Sequence, residues 1–385
     1  MPPLQENSAP AAAHDVRVAV DARPLTQPFN GIGQYLFQVL DHLLTSPNDQ
    51  SVQWLLYSDS PIELPSHWQN AAVRRGSISS KLVGVAFAQL MFGRWARKDK
   101  VDVYWSPRHQ LPVGLPGEIP AVVTLHDLVF KIYPETMSLF GRYHDALLTP
   151  IALRRAHRII TTSRAVRSEL VETYPCCESK SSAIALGSNL TAFESEEYGT
   201  SSPYAVFIGS MEPRKNLLRL IKAFKQLNGD SDKPFSLVII SGGGWNNSST
   251  LELIEQNKDM LRYHHRATTE EKATLLKNAT FLALPSLYEG FGLPIVEAQT
   301  MGIPVLTSNR GAMQEVAGNG AIYVNPESIS DIVRGLRLMF NDHRLRADLA
   351  ENAKLSGARY SWQTCAHETL KTLREASGTN SSVPA

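Results

Sequence analysis

The sequence predicts an α/β protein made of two doubly wound, parallel-sheet domains that face each other across a cleft. Three observations predict it. The chain has 385 residues, too many for one ordinary core and suited to two domains of under about 200 residues each. Its body alternates short apolar runs with amphipathic stretches, the pattern of parallel strands joined by helices. The alternation runs twice, with a polar, turn-rich stretch between the two series.

Taken in order, residues 1–14 are Pro, Ala and polar without periodicity and read as a disordered tail. Residues 16–20 are the first strand, followed by a Pro/Gly loop and a helix from about Gly33. Further strands are read at 54–57, 101–105, 121–124 and 158–162, with helices between them such as 141–156. These make a first domain over 15–190. Residues 191–203 are the predicted linker. The second domain, 204–355, has strands at 204–208, 236–240, 280–284, 305–307 and 321–324. Leu217, Leu220, Ile221 and Phe224 fall at i, i+3, i+4, i+7 and mark an amphipathic helix after its first strand. Residues 356–376 form a last helix, and 377–385 read as a second disordered tail. Ligands of such sheets sit outside the carboxyl ends of the strands, so the cleft between domains is the expected site.

Composition narrows the function. Apolar residues are 43% and charged residues 19%, a globular balance, and the net charge of +1 gives no reason to expect nucleic acid as a partner. No signal-peptide pattern or run of 18 apolar residues is seen, so the reading is a cytoplasmic protein without a membrane span. Cys176, Cys177 and Cys365 suit neither a disulfide framework nor a zinc site.

Four segments carry chemistry. The most informative runs from Pro285 to Ala298 and follows a strand. Gly290 and Gly292 let the backbone approach a ligand. Pro294 suits the first position of a helix, whose unpaired N–H groups favour a diphosphate. Glu289 and Glu297 are acceptor-only carboxylates that can grip sugar or ribose hydroxyls; each alone could equally cap a turn or complement a helix dipole. In the second segment, from Gly209 to Asn216, Arg214 and Lys215 open the next helix, against its dipole. A departing diphosphate would give them a role; a solvated surface pair is the alternative. In the third, Gly31 and Gly33 form a partial dinucleotide fingerprint whose third glycine is replaced by Leu36. In the fourth, His126 and Asp127 end a strand, where Asp127 could hold the imidazole in one tautomer. Asp230 and Asp232 lie between a helix and a strand at the wrong sheet end for a ligand and read as a solvated turn. No metal or other cofactor is expected. The stretch from Lys81 to Lys100 is either an amphipathic face on an anionic bilayer or a packed helix with a wet basic edge.

With two glutamates separated by seven residues, Glu289 and Glu297, and with Arg214–Lys215 before them, the chain resembles the retaining glycosyltransferases of family 4, over residues about 16 to 375. The resemblance implies the GT-B fold, two Rossmann-like domains with a C-terminal helix crossing back to the first. It implies that His126 and Glu289 lie beside the donor sugar, and that Glu297 meets the ribose. It places Arg214 and Lys215 on the leaving diphosphate, and gives donor contacts to Gly31, Gly33, Gly209, Gly290, Phe291, Gly292 and Leu293. It gives Glu315 a scaffolding role; Trp362, just before the crossing helix, reads as core rather than ligand. The pattern looks most like mannosyl- or rhamnosyltransferases of bacterial surface polysaccharide synthesis, acting on a saccharide or lipid-linked acceptor, with a GDP-sugar favoured over a UDP-sugar and peripheral membrane contact open. An epimerase of the same shape and a non-catalytic nucleotide-sugar-binding protein are the rival readings.

Overall fold

The computed structural model describes residues 16–26, 30–46, 51–78, 80–190, 203–229, 234–244 and 248–378. The predicted tail 1–14, residues 379–385 of the predicted tail 377–385, all but Pro203 of the predicted linker, and Asp230 and Asp232 lie outside the described residues, whereas Ser377 ends the last helix.

The first sheet has seven parallel strands. In chain order its domain runs β1 (Val16–Asp21), α1 (Gly31–Thr45), β2 (Val52–Ser58), β3 (Ala71–Arg75), α2 (Lys81–Lys98), β4 (Val103–Ser106), β5 (Ala121–Leu125), α3 (Val129–Ile132), α4 (Leu139–Arg155), β6 (Arg158–Thr161), α5 (Arg164–Thr173) and β7 (Ser181–Ala183). The strand order is β3-β2-β1-β4-β5-β6-β7. The second domain runs β8 (Tyr204–Ile208), α6 (Leu217–Gly229), β9 (Ser236–Ser241), α7 (Ser248–Gln256), β10 (Leu261–His265), α8 (Thr269–Lys277), β11 (Phe281–Leu284), α9 (Leu293–Thr300), β12 (Val305–Ser308), α10 (Met313–Ala317), β13 (Ala321–Val324), α11 (Ile329–Asn341) and α12 (His343–Gly357). Its six strands are ordered β10-β9-β8-β11-β12-β13. Both sheets are all-parallel and both are doubly wound, with order reversing beside the first strand, so each opens a crevice at its strands' carboxyl ends.

Central strands such as β5 and β8 are buried along their whole length, as a sheet covered on both faces requires. Helix α6 buries Leu217, Leu220, Ile221 and Phe224 as its period demands. The last helix, α13 (Trp362–Ser377), leaves the second domain and packs against α1, β4 and β5 of the first. Trp362 is buried in that contact. The Lys81–Lys100 stretch is a packed helix: Ala88, Phe92, Trp95 and Ala96 of α2 are buried, while Arg94, Arg97 and Lys98 are exposed.

Candidate active site

The carboxyl ends of β5 and β6 in the first domain meet that of β11 in the second. The loop after β11 is the centre. The Glu289 side chain is buried, with 4% of the residue exposed. Its Oε2 accepts from Arg214 Nη1 at 2.9 Å and from Lys215 Nζ at 2.7 Å. Its Oε1 accepts from Lys215 Nζ and from Ser286 Oγ, both at 2.7 Å. Burial alone would raise the Glu289 pKa; Lys215, Arg214 and the Ser286 hydroxyl outweigh it and hold it at about 2. Arg214 also donates to the Tyr288 carbonyl at 2.7 Å, and its pKa is raised against its burial by Glu289. The pair and the loop therefore converge on one place.

The two cations do not open a helix, as the sequence suggested. They sit in a short 3-10 turn, Pro213–Lys215, and α6 begins only after Asn216, whose φ of 62° is left-handed. The turn is held by the neighbouring glycine loop, where Met211 N donates to the Gly243 carbonyl at 2.9 Å. A Cβ on Gly209 would make ordinary contacts, at 3.7 Å from Lys215 Cδ.

Gly290 is where the domains touch. A Cβ there would lie 1.8 Å from the His126 carbonyl oxygen, so only glycine fits. The first domain also binds the Gly290 carbonyl, with Ser163 Oγ at 2.9 Å and Thr162 Oγ1 at 3.3 Å. Gly292 has φ +95° and caps α9. Pro294 is the second helical residue, one later than expected. Among the described residues the amides of Phe291 and Gly292 donate to nothing, which leaves them for an anion at the helix start. Phe291 itself is buried edge-on to Tyr360, and Leu293 packs against the core.

Glu297 is 2% exposed and accepts from Lys272 Nζ of α8 at 2.6 Å and from Gln34 Nε2 of α1 at 3.2 Å. The glycine loop of the first domain thus reaches the same place. The Gly33 amide is taken by the Asn30 side chain at 2.7 Å as an N-cap, so it is not offered to a ligand. Among the described residues, no atom beyond its chain neighbours and its own helix backbone lies within 4 Å of where a Gly31 Cβ would be.

His126 Nε2 donates to the Pro107 carbonyl at 2.8 Å, and the ring stands edge-on to Tyr35 at 5.0 Å. Burial lowers its pKa to about 4 despite the Pro107 bond, so it is neutral at neutral pH. Asp127 does not orient this ring. Its Oδ1 accepts from Val129 N at 3.2 Å and starts α3. Glu315 scaffolds across the domains, accepting from the Arg164 and Ala165 amides at 3.1 and 2.8 Å where α5 begins. Lys272, Gln34, Ser286, Thr162 and Ser163 are site residues that sequence reasoning missed. A cavity of about 640 Å³ along α11 is lined by none of them; charge, strand ends and free amides mark the site instead. Among the described residues no group of His, Cys, Asp and Glu gathers as metal ligands, and no helix is long and apolar enough to cross a membrane.

Residues 29–191 match the family model "Glycosyltransferase Family 4", and 190–356 match "Glycosyl transferases group 1". The chain belongs to the family 4 glycosyltransferases. It is 26% identical over 385 aligned residues to the O-antigen chain mannosyltransferase B of Escherichia coli, covering 93% of this chain and all of that one. Its fold matches that of the sucrose-phosphate synthase of Thermosynechococcus elongatus, with TM-score 0.75 at 17% identity over 95% of this chain and all of that one. It also matches that of Anabaena HepE in complex with UDP-glucose, with TM-score 0.72 at 15% identity over 94% of this chain and all of that one. This is the GT-B fold, and the glycosyltransferase is an enzyme of two Rossmann-like domains.

Proposed function

We propose that this glycosyltransferase moves a mannosyl group, with retention, from a nucleoside-diphosphate donor to a saccharide acceptor in surface polysaccharide synthesis. The observation that carries the chemistry is the Arg214–Lys215–Glu289 cluster beside the α9 start. Two cations and unclaimed amides suit a leaving diphosphate, and fixed charges aimed at it lower the barrier without reorganising. Arg214, Lys215 and the Phe291–Gly292 amides would take that charge, so the chemistry asks for no metal. Glu289 and neutral His126 flank the place where the sugar would lie. Glu297, held by Lys272 and Gln34, would accept from ribose hydroxyls. No side chain there is set as a covalent nucleophile, which favours attack by the acceptor on the face the leaving group departs from. Mannose is supported by the full-length relative, a mannosyltransferase; a GDP-sugar is our preferred donor.

Peripheral membrane contact fits α4 better than α2. Leu139, Tyr143, Leu147 and Ile151 recur every fourth residue on α4 and are all more than half exposed, with exposed Arg142 and Arg154 on the same helix. An apolar stripe with basic neighbours suits an anionic bilayer.

The test is calorimetry of GDP, UDP, GDP-mannose and UDP-glucose on the full chain, followed by turnover with and without EDTA. Tight GDP binding and EDTA-resistant mannosyl transfer support the reading. Loss of activity to EDTA, restored by manganese, would refute metal-free transfer. Leu147→Glu should abolish sedimentation with phosphatidylglycerol vesicles while leaving nucleotide binding intact.

A further inference from the structure

The first domain's wall of the cleft carries a cation that the donor chemistry does not use. Arg108 follows Pro107, whose carbonyl holds His126, and is half-buried beyond the carboxyl end of β4. Among the described residues its guanidinium has no hydrogen-bond or ion-pair partner. Its neighbours are already engaged. Asp21 is bound by Arg23 Nε at 2.8 Å. Asp145 accepts from Gln110 Nε2 at 2.7 Å and lies 3.3 Å from His109 Nε2.

Among the described residues, buried Tyr104 Oη, Ser106 Oγ, His109 Nδ1 and His144 Nε2 also lack hydrogen-bond partners. Tyr104 feels the Arg108 charge, His109 follows Arg108 in the chain, Ser106 precedes it by two residues, and His144 lies against Asp145, which Arg108 also feels. Tyr104 and Ser106 share a face of β4 by strand alternation. Native structures satisfy nearly all buried polar groups, so four such atoms beside one unpaired guanidinium ask for a ligand. Burial and the nearby Arg23 push the Arg108 pKa down, while Asp21, Asp145 and Asp59 act to raise it. A guanidinium fork with two hydroxyls and two imidazole nitrogens offers more donors than a carboxylate's two oxygens take, and suits a phosphate.

We infer that Arg108, with Tyr104, Ser106, His109 and His144, forms an acceptor subsite for a phosphate group. This rests on the transferase reading above, which fills the Arg214–Lys215 side with the donor. The acceptor's recognised portion is thus a phosphorylated saccharide, approaching from the first domain past His126. Helix α4 is consistent with it, because it turns His144 and Asp145 inward and its apolar stripe outward.

The experiment fills the donor site first. The full chain is saturated with whichever of GDP and UDP binds, then titrated with α-mannose 1-phosphate, methyl α-mannoside and inorganic phosphate. The sugar phosphate should bind about tenfold or more tighter than the neutral mannoside, the scale of a hydrogen bond to a charged group. Arg108→Gln should erase that margin and leave nucleotide affinity unchanged. Arg108→Lys, which keeps the charge but not the fork, should retain part of it and show that the fold survives. Equal binding of sugar phosphate and neutral mannoside overturns the proposal. So does inorganic phosphate binding as tightly as the sugar phosphate, which would make this an anion site unrelated to the acceptor. A fall in nucleotide affinity in Arg108→Gln reassigns Arg108 to the donor. Failure of both nucleotides to bind wild-type protein counts instead against the transferase reading, and this inference falls with it.

Discussion

Lys215 Nζ reaches both oxygens of Glu289 at 2.7 Å, so one cation serves a carboxylate and, in our reading, a diphosphate. Lys215→Ala should cut turnover by about 100-fold or more, the usual effect of losing one charge contact made in the transition state; an unchanged kcat would remove Lys215 from the chemistry. Glu289→Gln should lower kcat by a similar factor of about 100. Nucleotide diphosphate should bind that variant at least as well as wild type, because the carboxylate no longer competes for the cations. If affinity collapsed with kcat, Glu289 would be building the phosphate site rather than reading the sugar. The pH dependence follows from two opposite cases with one outcome. His126 titrates at about 4 in the fold against an ordinary 6.5, so the unfolded chain takes the proton first and stability is lost as pH falls from about 6.5 to about 4. Glu289 titrates at about 2 against an ordinary 4.5, so its contribution is present above about 4.5 and is lost below that. Urea midpoints should therefore drop on acidification from below about pH 6.5, and His126→Asn should remove the upper part of that drop. The rate profile should show no limb near 6.5 from His126; such a limb that vanishes in His126→Asn would place its pKa elsewhere.

At the scale of elements, the loop after β11 is built around a glycine that admits no side chain. Gly290→Ala puts a methyl 1.8 Å from the His126 carbonyl, so the two strand ends must part. A displacement of about 1 Å at a reacting centre costs on the order of 100-fold, and kcat/KM should fall accordingly. Gly31→Ala is the contrast: among the described residues its Cβ meets no atom within 4 Å beyond its chain neighbours and its own helix backbone, so it should leave the thermal midpoint unchanged, and any loss of donor affinity would report a ligand against that position. The same contrast explains what the sequence made legible. Buried central strands such as β8 and β11 read as unbroken apolar runs, and the segment around Glu289 and Glu297 is dense enough in glycine, proline and carboxylate to be recognised. Strands β3, β7 and β10 were not foreseen. Each lies at or beside a sheet edge with partly exposed residues, and Ser181–Ala183 or Leu261–His265 has no apolar pattern to find. Lys272, Gln34, Thr162 and Ser163 were illegible for another reason: each meets its partner across a long stretch of chain, between 25 and 263 residues away, and no local spacing records that. Asp127 was left open because an Asx turn and a carboxylate that orients an imidazole look alike in sequence; the Val129 amide decides for the turn.

At the scale of the molecule, the cleft depends on contacts that fix one domain against the other. Glu315 caps α5, Ser163 and Thr162 hold Gly290, and Tyr288 Oη donates to Glu169 at 2.5 Å. The covalent return is α13, which starts from the second domain and buries Trp362, Cys365, Leu370 and Leu373 against the first. Backbone fits so closely there that a Cβ on Gly187 would lie 2.1 Å from the Trp362 amide nitrogen. An apolar crossing helix ties the stability of each domain to the other's, because unfolding either one exposes the helix. Trp362→Ala should then cost about 3–5 kcal/mol, the range for deleting a large buried aromatic. The loss should appear in one cooperative transition followed by fluorescence of the remaining tryptophans, most of which lie in the first domain, and by calorimetry of the whole chain. Two separated transitions, with the second-domain unfolding unmoved by the substitution, would show that α13 is a tether and not a shared core. Activity gives the complementary reading. If α13 sets the closed geometry, Trp362→Ala should lower kcat well below the unfolding temperature while nucleotide affinity, which our proposal assigns chiefly to the second domain, stays at its wild-type value.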